Sequence, residues 1–269
     1  MSLTFEQRLE SCSNPLMRKL LQIIIDKKST LCVAADIYPI ETVIKLVHQI
    51  GPHICMLKLH MGIYQNERER LNDFYDQLCQ LKKKHNFLLF EDRKYFDGNQ
   101  AVQLDCAGYF RYFDLVTVVP LLGDATFRAI ESAVQQAGLP EDEPRGCLAI
   151  CELSFGGASA DRQELGCVSL DGPKILDIAQ RNHKICAGII AQKLKVQDPS
   201  LLIKASPGVH MSQTTDGRNQ QWRTPEAVVA DGADVIIVGR GIVGQPEERW
   251  ADLAREYKEK AFQSYLAAL

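Results

Sequence analysis

A TIM-type (β/α)8 barrel preceded by an extra N-terminal helix is the fold class that three observations predict. Eight short β-rich runs recur along the 269 residues. Stretches with helical periodicity separate them, the signature of βαβ units joined by right-handed crossovers. The length also fits, since one barrel of this kind occupies about 250 residues. One barrel domain over residues 1–269 therefore accounts for the chain. A doubly wound open sheet is the competing architecture.

In order, the strands are expected at Leu31–Asp36, Ile54–Leu59, Phe87–Asp92, Asp114–Val119, Gly146–Glu152, Ile185–Ile190, Leu201–Ala205 and Asp234–Val238. Several, such as DLVTVV and DVIIV, are continuously apolar, as strands buried on both faces require. Helices are expected from Ile40 to Gly51, behind Pro39, and from Glu67 to His85, which is long, charged and amphipathic. Others run from Ala125 to Ala137, Pro173 to Arg181, Pro225 to Asp231 and Pro246 to Ala267, and the extra helix spans Phe5 to Lys27. No linker, repeat or low-complexity segment divides the chain.

The formal net charge is −3, which gives no global electrostatic reason to bind nucleic acid or acidic lipid. Any anionic ligand must be held locally. The N-terminus MSLTFEQRLE lacks the basic and apolar regions of a signal peptide. No apolar run approaches the roughly 18 residues of a membrane span. Nine cysteines are scattered without a CxxC pair, a pattern expected of reduced thiols in a cytoplasmic protein. Cys147 and Cys151 are four apart, but on a strand that spacing places both on one face, for packing.

In a barrel, chemistry gathers where strands end and βα loops begin. Strand 1 ends in Asp36, strand 2 in Lys58-Leu59-His60, strand 3 in Glu91-Asp92-Arg93-Lys94 followed by Asp97, and strand 8 in Gly239-Arg240-Gly241. Alternation puts Asp92 and Lys94 on one face and Glu91 and Arg93 on the other. A cluster of Lys58, Asp92, Lys94 and Asp97 would alternate in charge, each group holding its neighbour ionised. A leaving carboxylate beside such an aspartate is repelled by about 4 kcal/mol at 4 Å and an effective dielectric of 20. A neighbouring lysine can stabilise carbanion charge and then donate a proton. A salt-bridge network at the barrel rim would use the same residue types.

The C-terminal third offers an anion site. Ser206-Pro207-Gly208-Val209 leads into the polar loop from His210 to Arg223, and strand 8 delivers Gly239-Arg240. Loops after strands 7 and 8 are the usual phosphate site of these barrels. A flexible loop and a turn are the plainer alternative.

Taken together, LLQIIIDKKSTLCVAAD, GPHICMLKLH, FLLFEDRK, RGCLAICELS, SPGV and DVIIVGRGI resemble the orotidine 5′-monophosphate decarboxylase family in order and spacing. FEDRK with its D-x-K-x-x-D spacing is the most specific part. The resemblance implies a cofactor-free carboxy-lyase of pyrimidine biosynthesis that forms UMP and CO2, without metal, as a homodimer. It implies that Asp36 holds the ribose, that Lys58 contacts it, that Asp92 lies near the substrate carboxylate and that Lys94 protonates C6. Asp97 matches an aspartate reaching a partner's site, and Ser154 one that reads the pyrimidine. Pro207, Gln220, Trp222, Gly239 and Arg240 complete the substrate-binding set, the last four as the phosphate grip.

The chain departs from the family pattern in places. Asp97-Gly98-Asn99-Gln100 stands for D-I-G-N-T, Ala34 for a frequent serine, and Leu59 and Gly62 for threonine and aspartate of KTHxD. Strand 4 lacks the Asn-Ala-His segment. These changes gather on the substrate side, so a catalytically impaired descendant kept as a nucleotide-binding or structural protein is the alternative reading. A metal-assisted barrel enzyme acting on a sugar phosphate is a third.

Overall fold

The computed structural model describes residues 3–140, 142–153, 170–212 and 222–269. Eight parallel strands run β1 Leu31–Ala34, β2 Met56–Leu59, β3 Leu88–Tyr95, β4 Leu115–Val118, β5 Gly146–Ile150, β6 Cys186–Ile190, β7 Ile203–Ser206 and β8 Val235–Val238. Each pairs with the next, and β1 also pairs with β8, so the sheet closes in sequence order. The open-sheet alternative is thereby excluded. The observed strands lie within or beside the expected ones, except that β3 continues three residues past Asp92, to Tyr95.

Around the barrel lie α3 (Ile40–Ile50), α4 (Leu71–His85), α5 (Gln100–Phe110), α6 (Asp124–Ala137), α7 (Gly172–Arg181), α8 (Pro225–Ala230), the single turn α9 (Arg240–Val243) and α10 (Trp250–Ala267). The N-terminal segment differs from expectation. It forms two helices, α1 (Phe5–Ser11) and α2 (Pro15–Lys27), because Asn14 caps a new helix and Pro15 occupies its first turn. The helix expected from Glu67 begins only at Leu71, since Met61–Arg70 forms 3-10 turns with non-helical backbone at Tyr64 and Glu67. Helix α5 is not among the helices expected from the sequence. It buries only Cys106, Ala107 and Phe110, too few to print an apolar period, although Asn99 caps it by accepting the Val102 N–H at 3.0 Å.

Three layers of packing hold the site in place. Inside the barrel, Cys32, Met56, Leu88, Leu115 and Val235 pack with Leu16, Met17, Leu20 and Ile24, so α2 closes the end where the strands begin. Outside, Val33, Leu57 and Leu89 pack against Val43, Phe74, Leu78 and Tyr257. Val116, Cys147, Ala149 and Cys151 join α5, α6 and α7 in the third layer, where both cysteines serve as buried packing. Arg8 of α1 fastens this assembly at β8 by pairing with Asp234 and donating to the Leu202 carbonyl. The polar strand ends lie at the opposite mouth.

Candidate active site

That mouth holds a cavity of about 420 Å³, within the usual range for a small-molecule site. Its floor is apolar, made by Phe90, Ile150, Ile190 and Ile237 from the barrel interior. One wall is charged. Lys58 Nζ lies 3.3 Å from Asp36 and 3.2 Å from Asp92 Oδ2, and Lys94 Nζ lies 2.9 Å from the same Oδ2. The ends of β1, β2 and β3 therefore build a chain Asp36–Lys58–Asp92–Lys94 of alternating sign.

His60 adds a further contact that sequence reading gave no role, its Nε2 lying 3.2 Å from Asp92 Oδ2. The signal was its position two residues beyond Lys58 at a strand end. The other oxygen, Asp92 Oδ1, accepts from the Thr117 hydroxyl at 2.9 Å. Burial alone would raise the Asp92 carboxyl, but the His60 hydrogen bond and the Lys58 and Lys94 charges outweigh it and hold the group well below the usual carboxylate range. Burial opposes the charge on Lys58 as well, yet Asp92 and Asp36 raise its affinity for the proton above the ordinary lysine value.

Strand alternation sorts the remaining charges as expected. Asp92 and Lys94 line the cavity. Glu91 points the other way, fully buried, and accepts the Met61 N–H at 3.0 Å, which ties down the loop after His60. Burial pushes its carboxyl up to about 8, against the Met61 hydrogen bond. Arg93 turns outward, 3.5 Å from Asp105 and over the Tyr109 ring.

Asp97 does not line the cavity. Its carboxylate accepts the Gly98 N–H at 2.6 Å and the Asn99 side-chain amide at 2.6 Å, forming the turn into α5. Of the cluster read from the sequence, Lys58, Asp92 and Lys94 come together within the chain and are joined by Asp36, while Asp97 lies outside the array. The altered segment Asp97-Gly98-Asn99-Gln100 still builds a capped helix start.

The opposite wall comes from the ends of β7 and β8. Pro207, Gly208, Trp222, Gly239 and Arg240 line it. The Arg240 guanidinium lies 5.2 Å from the Trp222 ring centroid, and His210 stacks on the same Trp222 ring at 4.5 Å. Burial, and then the Arg240 charge, lower the His210 proton affinity. Glu152 also lines the cavity, and sequence reading gave it no role. One of its oxygens accepts backbone N–H groups of Gln192, Lys193 and Leu194 at 2.7–2.9 Å, which holds the carboxyl low despite burial. Ser154 and Gln220 lie outside the described residues. Among the described residues no group of three or more His, Cys, Asp or Glu is arranged to hold a metal ion. No described helix is long and apolar enough to cross a membrane.

A closed parallel barrel with a charged array and an arginine-bearing glycine turn at its C-terminal mouth defines a barrel enzyme for an anionic small molecule. Residues 29–253 match the Orotidine 5′-phosphate decarboxylase / HUMPS family, and the chain belongs to that family. Orotidine 5′-phosphate decarboxylase of Saccharomycopsis fibuligera is 34% identical over 280 residues, spanning 100% of this chain and 99% of that one. Uridine 5′-monophosphate synthase of Naegleria gruberi is 35% identical, covering 98% of this chain and 52% of its own length. Among solved structures, the Methanocaldococcus jannaschii orotidine 5′-monophosphate decarboxylase complexed with the inhibitor BMP superposes with a TM-score of 0.59 at 17% identity, over 86% of this chain and 97% of that one. That structural likeness speaks to the fold.

Proposed function

We propose that the protein decarboxylates orotidine 5′-monophosphate to UMP, using side chains of the charged wall and no cofactor. The observation that carries this reading is the convergence of Lys58, His60 and Lys94 on one oxygen of a half-buried Asp92, in a family member whose relatives are decarboxylases. Arg240, Gly239 and the backbone around Gly208 take the phosphate, Asp36 and Lys58 the ribose, and the apolar floor the pyrimidine. Ser154 and Gln220 are assigned by motif to the pyrimidine and the phosphate.

The substrate carboxylate then meets Asp92, and their repulsion is relieved as the C6–carboxylate bond breaks and CO2 departs. The electron pair left on C6 is stabilised by the Lys94 ammonium. Lys94 transfers a proton to C6, completing UMP, and regains one from solvent. Ionised Asp92 is essential to this scheme, and His60, Lys58 and Lys94 keep it so.

We further infer a homodimer in which Asp97 serves the partner's site. Its carboxylate lies outside the cavity of its own chain, and exposed apolar side chains, including Phe96, Leu104, Leu121 and Leu122, follow the neighbouring strands β3 and β4. A cytoplasmic setting suits the free cysteines, seven of the eight described being buried.

The test is loss of orotidine 5′-monophosphate absorbance on adding purified protein, with EDTA present and Lys94→Ala as control. Turnover in EDTA that the substitution abolishes is the expected result. A folded wild-type protein without turnover overturns the reading.

A further inference from the structure

Strand β3 does not pair regularly with β4. Glu91 pairs with Val116 and Tyr95 with Val118, so three residues of β3, Asp92, Arg93 and Lys94, face the single residue Thr117. Such an excursion interrupts the ladder and re-aims side chains. Lys94 sits within it at φ +58°, a left-handed conformation that residues other than glycine rarely hold. It persists only where the surroundings over-determine it.

Thr117 supplies that determination. Val116 and Val118 pack outward in the helical layer, which turns Thr117 inward as the one polar residue of LVTV. It is 1% exposed. Its Oγ1 accepts the Lys94 backbone N–H at 2.8 Å and donates to Asp92 Oδ1 at 2.9 Å. A hydroxyl has one proton to give and lone pairs to receive, so both bonds form at once without conflict. One atom therefore joins the backbone of the proton donor to the carboxylate that faces the substrate. Lys94, Lys58 and His60 occupy the other carboxylate oxygen, so the Thr117 bond holds the Asp92 side chain from the β4 side.

We propose that Thr117 is a positioning residue for the decarboxylation, fixing Lys94 and Asp92 relative to each other through its hydroxyl. It acts behind the cavity wall and makes no contact with substrate. The proposal rests on the decarboxylase reading of the site. Val has nearly the shape of Thr without the hydroxyl, and Ser keeps the hydroxyl without the methyl, so the pair separates hydrogen bonding from packing.

The experiment compares Thr117→Val and Thr117→Ser with wild type in kcat, in KM for orotidine 5′-monophosphate, and in hydrogen exchange of the Lys94 amide by NMR. Thr117→Val is expected to lower kcat roughly 10- to 100-fold, the scale of an ångström's misplacement, with KM within about threefold. Its Lys94 amide is expected to exchange at least about tenfold faster, having lost its acceptor. Thr117→Ser is expected to recover kcat to within about fivefold of wild type, because the bonds return. A Thr117→Val enzyme with kcat within about twofold of wild type overturns the proposal, as does a Thr117→Ser enzyme as slow as Thr117→Val. A wild-type protein that releases no UMP sinks the functional reading instead. The amide then decides alone: unchanged exchange in Thr117→Val overturns the proposal, and faster exchange confined to the Asp92–Lys94 excursion upholds the clip.

Discussion

Lys94 Nζ lies 2.9 Å from Asp92 Oδ2, across the β3 excursion that turns both side chains into the cavity. Neutralising Asp92 removes the carboxylate that Lys94, Lys58 and His60 share and leaves Lys58 paired with Asp36. In Asp92→Asn these groups are expected to welcome the substrate carboxylate, so substrate binds more tightly while CO2 loss slows. About 4 kcal/mol of removed repulsion, at 4 Å and an effective dielectric of 20, corresponds to roughly a thousandfold in kcat. Steady-state kinetics should therefore show kcat and KM falling together, the pattern of relieved ground-state destabilisation. UMP, which lacks the carboxylate, serves as the control ligand. A kcat that falls while KM rises would count against this role.

Arg240 makes the opposite kind of contribution. It lies on the far wall from the bonds that change, stacked over Trp222. Arg240→Ala should weaken phosphate binding by the roughly 1.5–3 kcal/mol of a charged hydrogen bond, about 10- to 100-fold in affinity for UMP by calorimetry. Uridine, without phosphate, should bind both proteins alike. Equal losses for UMP and uridine would mean that Arg240 supports the cavity's shape instead of gripping phosphate.

The barrel was legible because its strands are continuously apolar and its polar residues cluster at their ends; Asp36, Lys58, Asp92 and Arg240 all emerge from that one regularity. What escaped has physical reasons. Helix α5 packs through only three buried residues, so its period is faint while its Asn99 cap carries the boundary. The break between α1 and α2 is marked by Asn14-Pro15, but α1 has only 7 residues, too few to show a helical period of its own. His60 and Thr117 are single polar residues whose partners lie on other strands, 32 and 25 positions away at Asp92, and no local pattern reports a contact of that range. Asp97 joins the expected array only through its charge and its nearness in sequence to Lys94, and the strand ends at Tyr95 with a turn between them.

Glu91 gives the stability a pH dependence. Its carboxyl is raised from 4.5 to about 8 in the folded chain by burial. The native state therefore holds a proton that the unfolded chain releases between those values. The unfolded state binds fewer protons in that window, so stability falls as pH rises from about 4.5 to about 8. Each tenfold change in proton affinity is worth about 1.4 kcal/mol, so the window amounts to a few kcal/mol. Glu91→Gln keeps an acceptor for the Met61 N–H and removes the ionisation. Urea unfolding should find the variant close to wild type near pH 5 and more stable by a few kcal/mol near pH 8.5. Equal stability at both values would show that Glu91 is ionised at little cost.

The position of Asp97 tests whether two chains build each site. If its carboxylate serves the partner, Asp97→Ala and Lys94→Ala chains are each inactive as homodimers but complementary when mixed. A hybrid dimer carries both lesions in one site and neither in the other. Random pairing at equal concentration makes about half the dimers hybrid, restoring roughly one quarter of the wild-type activity per site. A charge placed in the exposed apolar patch, Leu121→Asp, should shift sedimentation toward monomer and lower turnover in parallel. Should exchange of subunits be verified and the mixture stay inactive, Asp97 acts within its own chain, and its bonds to Gly98 and Asn99 would have to open for it to reach the cavity.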